Sequence, residues 1–448
     1  MCSGPVLGKV LLFAFPLMLS TLLQLMFNAV DMIVVGRFTG SDALAAVGAT
    51  GSLTNLLVSV FLGVSVGTNV LVARYYGAHD AKNVSEAVHT SVTISLIFGV
   101  FLAVAGFFIA PGMLMLMGTP DNVLDQAVLY IRIYFIGMPV NILYNFGSAI
   151  MRAVGDTKRP LYFLIIAGVT NVVLNLVMVI VFRMGVAGVA IATVASQAVS
   201  AILVTICLMH SDGIYQLHLR KLRVHMDKFL EIIRIGLPAG LQSAIFSISN
   251  VLIQSSINSF GAAAIAGNTA SSNIEGMTVS TFAGSIYQAN ISFTSQNVGA
   301  KKFGRLDRIT ITCASLTVIG SIVLGILTYT FGETLLGIYS SDPAVIEFGL
   351  RRMVIMALTH FLASLMDCMV GSLRGIGYSL QPMIVSIVGV CGFRIVWLYT
   401  IFAAFRTPEV LYLSYPISWG LTALIHTVCF IVLRRRFPKT DLPAEEIA

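Results

Sequence analysis

Apolar residues run in stretches of 18 or more along nearly the whole chain, separated by short connections rich in Gly, Asp, Lys and Arg. Stretches of that length are long enough to cross a bilayer as helices. They lie at 10–36, 51–75, 88–112, 124–151, 160–183, 187–209, 229–256, 262–297, 308–335, 345–373, 380–404 and 410–433. The pattern predicts an all-α polytopic membrane protein with twelve transmembrane helices.

The pattern also repeats. MRAVGDTKRP from Met151 returns as LRGIGYSLQP from Leu373, so that Arg152/Arg374, Gly155/Gly377 and Pro160/Pro382 stand 222 positions apart. The same shift pairs Pro16 with Pro238 and Gly77 with Gly299. One shift shared by distant segments marks a duplication. Six helices per copy return the chain to its starting side, so the two six-helix lobes are expected to be related by a pseudo-twofold along the membrane normal. The expected division is 1–210 for the N-lobe, 211–228 for a linker, 229–434 for the C-lobe and 435–448 for a tail.

Composition agrees with that class: 57% of residues are hydrophobic and 10% charged. Twenty of the 27 Lys and Arg fall in the segments that share a side with the N-terminus, against six on the other side and Arg394 inside a helix. Positive charge stays in the cytoplasm, so both termini and the linker are expected there, in the cell membrane. The net charge of +7 is thereby assigned to insertion bias rather than to nucleic-acid binding. The first apolar run continues past 25 residues without a small-residue cleavage site and reads as a retained helix. Six scattered cysteines suggest neither a metal site nor a disulfide framework. No GxxxxGK[ST] loop occurs, so any pumping is expected to draw on an ion gradient, with no cofactor and no enzymatic activity.

Ionisable groups within the bilayer are expensive and therefore candidates for function. Two carboxylates are expected there, Asp31 and Asp367. Asp31 precedes Arg37 by six residues, which at 1.5 Å rise per residue places it roughly 9 Å below the outer surface. Asn171 and Asn175 are four residues apart and share a helix face at a similar depth; Thr193 and Gln197 do the same on the next helix. In the second copy Asp31 is matched by Ile253 or, with a local shift of 221, by Leu252, and the asparagines by Phe393 and Trp397. Polar groups kept in one copy only are not explained by architecture. A carboxylate with two carboxamides suits a proton or a small cation such as sodium, held as cargo. Asp367 shares a face with His360 and Ser364, and forms either a second protonatable site with His360 or a neutralising pair with Arg394. Pro16 and Pro238 read as a hinge or as an inherited bend. The polar side of the seventh stretch, with Gln242, Ser247, Asn250 and Gln254, is expected to line a substrate cavity or to pack against another helix.

The segments FNAVDMIVVGRFTGSDALAAVGAT from Phe27, YYGAHD from Tyr75, TNVVLN from Thr170, GVAGVAIATVASQ from Gly185, FGAAAIAGNTASS from Phe260 and GSLRGIG from Gly371 resemble the multidrug and toxic compound extrusion (MATE) family. The resemblance spans the chain in order. It implies two lobes around a V-shaped cavity, alternating access, and export of amphipathic, often cationic drugs against protons or sodium. It places Asp31, Asn171 and Thr193 in the family's cation site and Pro16 at its helix-1 bend. Asn175 stands where DinF-like members carry Asp. The C-lobe acids of NorM-like members fall at Phe246 and Ala363, with Asp367 one turn away. A monomer surrounded by lipid is expected. A flippase for lipid-linked precursors is the alternative and would call for several cationic residues in the cavity; a membrane transferase would need a motif such as NDxxD, which is lacking.

Overall fold

A computed structural model describes residues 1–441, with side chains at all of these positions except 41, 52 and 56. Residues 442–448 of the expected tail lie outside the described residues. The first copy contains α1 (Val6–Phe38), α2 (Ser41–Gly77), α3 (Ala81–Leu116), α4 (Asp121–Ile136), α5 (Met138–Val154), α6 (Lys158–Leu176) and α7 (Gly185–Met209). The second contains α8 (Met226–Asn258), α9 (Ala262–Glu275), α10 (Thr281–Gly299), α11 (Gly304–Thr330), α12 (Gly332–Gly337), α13 (Pro343–Gly375), α14 (Leu380–Ser386), α15 (Phe393–Tyr399), α16 (Ile401–Ala404) and α17 (Pro408–Arg434).

Among the described residues ten helices are long and apolar enough to cross a membrane, and α4 with α5 makes an eleventh as a pair bent by 48°. The bend falls at Gly137, where Pro139 opens α5 and offers no N–H to continue the ladder. The expected twelfth span, 262–297, is helical but too polar for the same criterion. Its α10 buries Asn290, Ser292, Thr294, Ser295, Gln296 and Asn297. They bond inside the protein, apart from Asn297 Oδ1: Asn290 Nδ2 donates to the Cys368 carbonyl at 2.7 Å and to Ser372 Oγ at 2.8 Å, and Thr294 Oγ1 donates to Asn290 Oδ1 at 3.1 Å. Hydrogen bonding between helices replaces hydropathy here.

The repeat is visible in the backbone. Gly155 and Gly377 adopt φ of 102° and 99°, the left-handed turn that lets the chain leave α5 and α13, and His79 and Lys301 adopt φ of 56° and 52°. A single-residue deletion in the α8–α9 loop, which has no counterpart of Thr39, changes the shift to 221. The stretch Ala262–Gly299 is one residue longer than Ser41–Gly77, which restores 222. The extra residue is taken up in a π-helical turn, Gly276–Ser280. Further π turns span Val177–Val181 and Ile387–Gly392. Each π turn lies within two residues of a buried polar side chain: Asn175, Glu275 and Arg394.

Contacts divide the chain into two compact units that do not follow the two halves of the sequence. One comprises Leu19–Gly240; the other comprises Met1–Met18 and the chain from Leu241 onward. The boundaries fall two residues after Pro16 and Pro238, once more 222 apart. Thus α1 and α8 each begin in one unit and end in the other. Within Leu19–Gly240 the core holds Leu71, Ile131, Phe135, Met138, Phe146 and Ile150. There Gly63 and Gly67 on α2 meet Gly236 and Gly240 on α8 at backbone contact. A Cβ on Gly63 would lie 2.1 Å from Gly240 N, and one on Gly67 2.2 Å from the Ile232 carbonyl. In the other unit Val10, Phe13 and Ala14 of α1 pack with Ile286, Ala289 and Phe293 of α10. Large apolar side chains such as Phe108 (73% exposed) and Leu116 (89%) face outward, as a lipid-facing surface requires.

Candidate functional site

Asp31 is 8% exposed on α1, and three of the residues expected beside it are there. Asn175 Nδ2 donates to Asp31 Oδ1, and Thr193 Oγ1 donates to Asp31 Oδ2 at 3.2 Å. Asn175 also donates to Asn171 Oδ1 at 3.2 Å. The approach of α1 to α6 depends on Gly168, where a Cβ would sit 1.7 Å from the Phe27 ring. The i, i+4 spacing on α6 aims both asparagines at one point, and the π turn that follows carries the chain away from the regular register. Asn175 Oδ1 is completely buried and has no hydrogen-bond partner among the described residues. A buried carbonyl oxygen left unpaired is costly, and a hard cation is one group that would satisfy it.

This cluster forms part of the wall of a cavity of about 280 Å³. A second cavity, of about 410 Å³, lies in the other unit. The two are copies of one cavity: Gln24, Asn28, Val58, Asn145, Thr193 and Gln197 line the first, and their counterparts 222 positions on, Phe246, Asn250, Ser280, Asp367, Tyr415 and Trp419, line the second. The counterpart of Asp31 is Ile253. It is buried at 1% exposure in an apolar cluster with Leu411 and Tyr412, whereas Leu252 is 42% exposed. Deletion in the loop rather than in the helix decides between the two alignments.

Asp367, His360 and Arg394 all line the second cavity, but the expected neutralising pair does not form. No ion pair joins Asp367 to Arg394 among the described residues. Arg394 instead stacks its guanidinium on Tyr415, 3.9 Å from the ring centroid, and donates Nε to Ser418 Oγ at 3.2 Å. His360 bonds Ser364 Oγ through Nδ1 at 3.2 Å and Ser280 Oγ through Nε2 at 3.1 Å. Of the residues expected to line a substrate cavity, Gln242 and Asn250 do so. Ser247 and Gln254 are not on that wall: Ser247 donates to the Ser243 carbonyl at 3.1 Å, and Gln254 joins Asn258 at 3.0 Å and Asn268 at 3.2 Å.

The expectation of only two carboxylates within the spans is corrected by Glu275. It lies at the end of α9 and pairs with Arg352 of α13 at 3.0 Å, both within 7% of full burial. Arg352 also donates to Ser271 Oγ at 2.8 Å. Sequence reading missed the pair, because Arg352 and its partner lie 77 residues apart. Removing one member of such a pair strands a buried charge. Arg352→Met is therefore expected to lower stability by about 3–5 kcal/mol, and the double variant Glu275→Gln/Arg352→Met to recover much of it, read by thermal unfolding in detergent. Equal unfolding temperatures for wild type and Arg352→Met would show the pair to be dispensable. Near the linker, Glu86, His225 and Asp227 place ligand atoms within 4.8 Å of one another. Asp227 is engaged there by Lys228 at 2.9 Å, and His225 accepts from Arg223 at 3.2 Å.

A duplicated bundle of membrane-crossing helices with a polar cavity in each copy defines a multi-pass membrane transporter. The chain belongs to the MatE family, the multidrug and toxic compound extrusion proteins, whose model matches residues 16–177 and again 238–400. The two matches begin at Pro16 and Pro238. The chain is 29% identical over 423 residues to the probable multidrug resistance protein YoeA of Bacillus subtilis, covering 92% of this chain and 91% of that one. It is 26% identical to the probable multidrug resistance protein NorM of Thermotoga maritima, covering 84% and 82%. Its fold matches an outward-facing multidrug resistance MATE transporter of the MOP superfamily, with a TM-score of 0.89, 20% identity and 97% of each chain covered. It also matches a MOP superfamily transporter from Pyrococcus furiosus described as having a binding pocket of reversed polarity, with a TM-score of 0.90, 20% identity and 96% of each chain covered.

Proposed function

We infer that the protein is a secondary active exporter of amphipathic organic compounds in the cell membrane, driven by proton or sodium entry through alternating access. The observation that carries this reading is the Asp31 cluster: one buried carboxylate, two carboxamides and a hydroxyl, with Asn175 Oδ1 unpartnered, present in only one copy of a duplicated transporter fold. Family membership supplies the drug class, and multidrug resistance proteins are among the relatives. A proton on Asp31, or sodium among its oxygens, would neutralise the site and shift the balance between two states of the helices that carry it. Pro16, where the family match begins and beside which α1 changes unit, is the proposed hinge. Both termini are assigned to the cytoplasm by charge distribution.

The test is efflux of ethidium and of a fluoroquinolone from cells expressing the protein, with sodium and external pH varied independently. Efflux should collapse when the driving gradient is abolished and should follow only one of the two ions. Efflux that persists without either gradient, or movement of a lipid-linked precursor with none of either drug, would overturn the assignment.

A further inference from the structure

The two cavities are copies of one another, yet their charges are opposite. Among the described residues the cavity that holds Asp31 has no Lys or Arg on its wall. The wall of the other carries Arg374 and Arg394 against the single carboxylate Asp367. With Asp367 ionised its formal balance is still positive. Arg394 is specific to the second copy, since position 172 in the first holds Val. Just as an unmatched Asp31 is not explained by architecture, neither is an unmatched guanidinium.

Both arginines have capacity to spare. Arg374 is 5% exposed; it donates to Gln242 Oε1 at 2.8 Å and to the Tyr287 hydroxyl, and its Nε has no partner among the described residues. Arg394 is 4% exposed, and only its Nε donates to the protein, leaving both terminal nitrogens without a partner among the described residues. Its plane is fixed by Tyr415 beneath it, with the Trp419 ring centroid at 5.7 Å. A guanidinium held flat with its fork free matches the two oxygens of a carboxylate, sulfonate or phosphate. The aromatic residues that replace Thr193 and Gln197 in this copy supply faces for a planar ring. A space of about 410 Å³ is in the range of drug-sized ligands.

The geometry points to a division of labour: the cation is taken by the Leu19–Gly240 unit, and the cavity of the other unit binds an aromatic organic anion, oriented by Arg394 and Arg374 and stacked near Trp419. This adds aromatic anions to the substrates of the exporter proposed above and rests on that reading. Cationic dyes are poor ligands for this cavity on the same argument.

The experiment uses the purified full chain in detergent with fluorescein as an aromatic anion and ethidium as an aromatic cation, each followed by fluorescence anisotropy. The chain has two tryptophans, so a Trp397→Phe background leaves Trp419 as a reporter whose quenching locates the probe in the cavity. Fluorescein should bind more tightly than ethidium and quench Trp419. Arg394→Gln should weaken fluorescein at least ~10-fold while leaving ethidium unchanged or tighter, because a charge-assisted fork is lost. Asp367→Asn, nearly isosteric, should tighten fluorescein several-fold. Preference for ethidium, or unchanged fluorescein affinity in Arg394→Gln, overturns the assignment. Should Arg394→Gln fail to fold, Asp367→Asn decides: unchanged or weaker fluorescein binding overturns it. Ion-coupled efflux of ethidium with no fluorescein binding would reject the anion site and leave the exporter reading standing; fluorescein binding without ion-dependent transport would do the reverse.

Discussion

Asp31→Asn should abolish gradient-driven efflux while leaving the protein folded and inserted. The substitution is almost isosteric, and Thr193 can still donate to the retained side-chain oxygen that it now contacts at 3.2 Å. What disappears is the charge. Asn175 would then present its amide to another amide, and a cation would face neutral oxygens only. Hydrogen bonds to charged groups contribute about 1.5–3 kcal/mol, roughly a 10- to 100-fold change in affinity, and the direct ion contact adds to this. Substrate accumulation in energised cells should rise to that of cells lacking the transporter. The check is uptake in proteoliposomes with an imposed pH or sodium gradient, with purified yield and unfolding temperature as controls. Normal coupled transport by Asp31→Asn would remove the central assignment. Asn175→Leu is a milder companion: it removes the unpartnered oxygen and retains the carboxylate.

Gly240→Leu should unfold the protein or leave it aggregated. A Cβ there would lie 2.2 Å from the Val60 carbonyl oxygen, and the obstacle is helix backbone rather than a movable side chain. Overpacking ordinarily costs about 1–3 kcal/mol, and a contact between rigid helices places this substitution at the upper end or beyond. Gly63→Val should behave alike, since its added carbon would meet Gly240 N at 2.1 Å. Gly112→Ala is the matched control, because a Cβ at Gly112 meets nothing within 4 Å. Size-exclusion profiles and thermal unfolding would decide; a wild-type unfolding temperature for Gly240→Leu would mean that the crossing is far looser than described. In the other unit the corresponding positions are Ser285, Ala289, Ala14 and Met18, so three of the four remain small and the counterpart of Gly240 does not.

Much of this was readable from the chain. Hydrophobic length located the helices, and the duplication acted as a comparison that singled out Asp31, Asn171 and Asn175. Helical spacing was sufficient there because α6 presents both asparagines on one face. It failed where partners are distant. Arg352 looks like an ordinary charge near a span boundary and Glu275 like an isolated acid inside the stretch 262–297 until the fold brings them to 3.0 Å. Proximity in depth suggested an Asp367–Arg394 pair, but depth does not fix direction, and the guanidinium turned to Tyr415. The π turn at Gly276–Ser280 could have been anticipated, since the switch in repeat shift from 222 to 221 and back requires one inserted residue in that helix. The exchange of helix beginnings between units left no trace in hydropathy, because a helix is equally apolar whichever neighbours it meets.

That exchange bears on how the chain is made. Val6, Val10 and Phe13 bury against Ile286, Phe293 and Ile309, which are synthesised close to 300 residues later. Until then the start of α1 lacks its packing partners, and no unit containing it can close. A nascent chain halted after residue 240 would therefore hold a complete Leu19–Gly240 unit and an unpacked start of α1, an obvious substrate for membrane quality control.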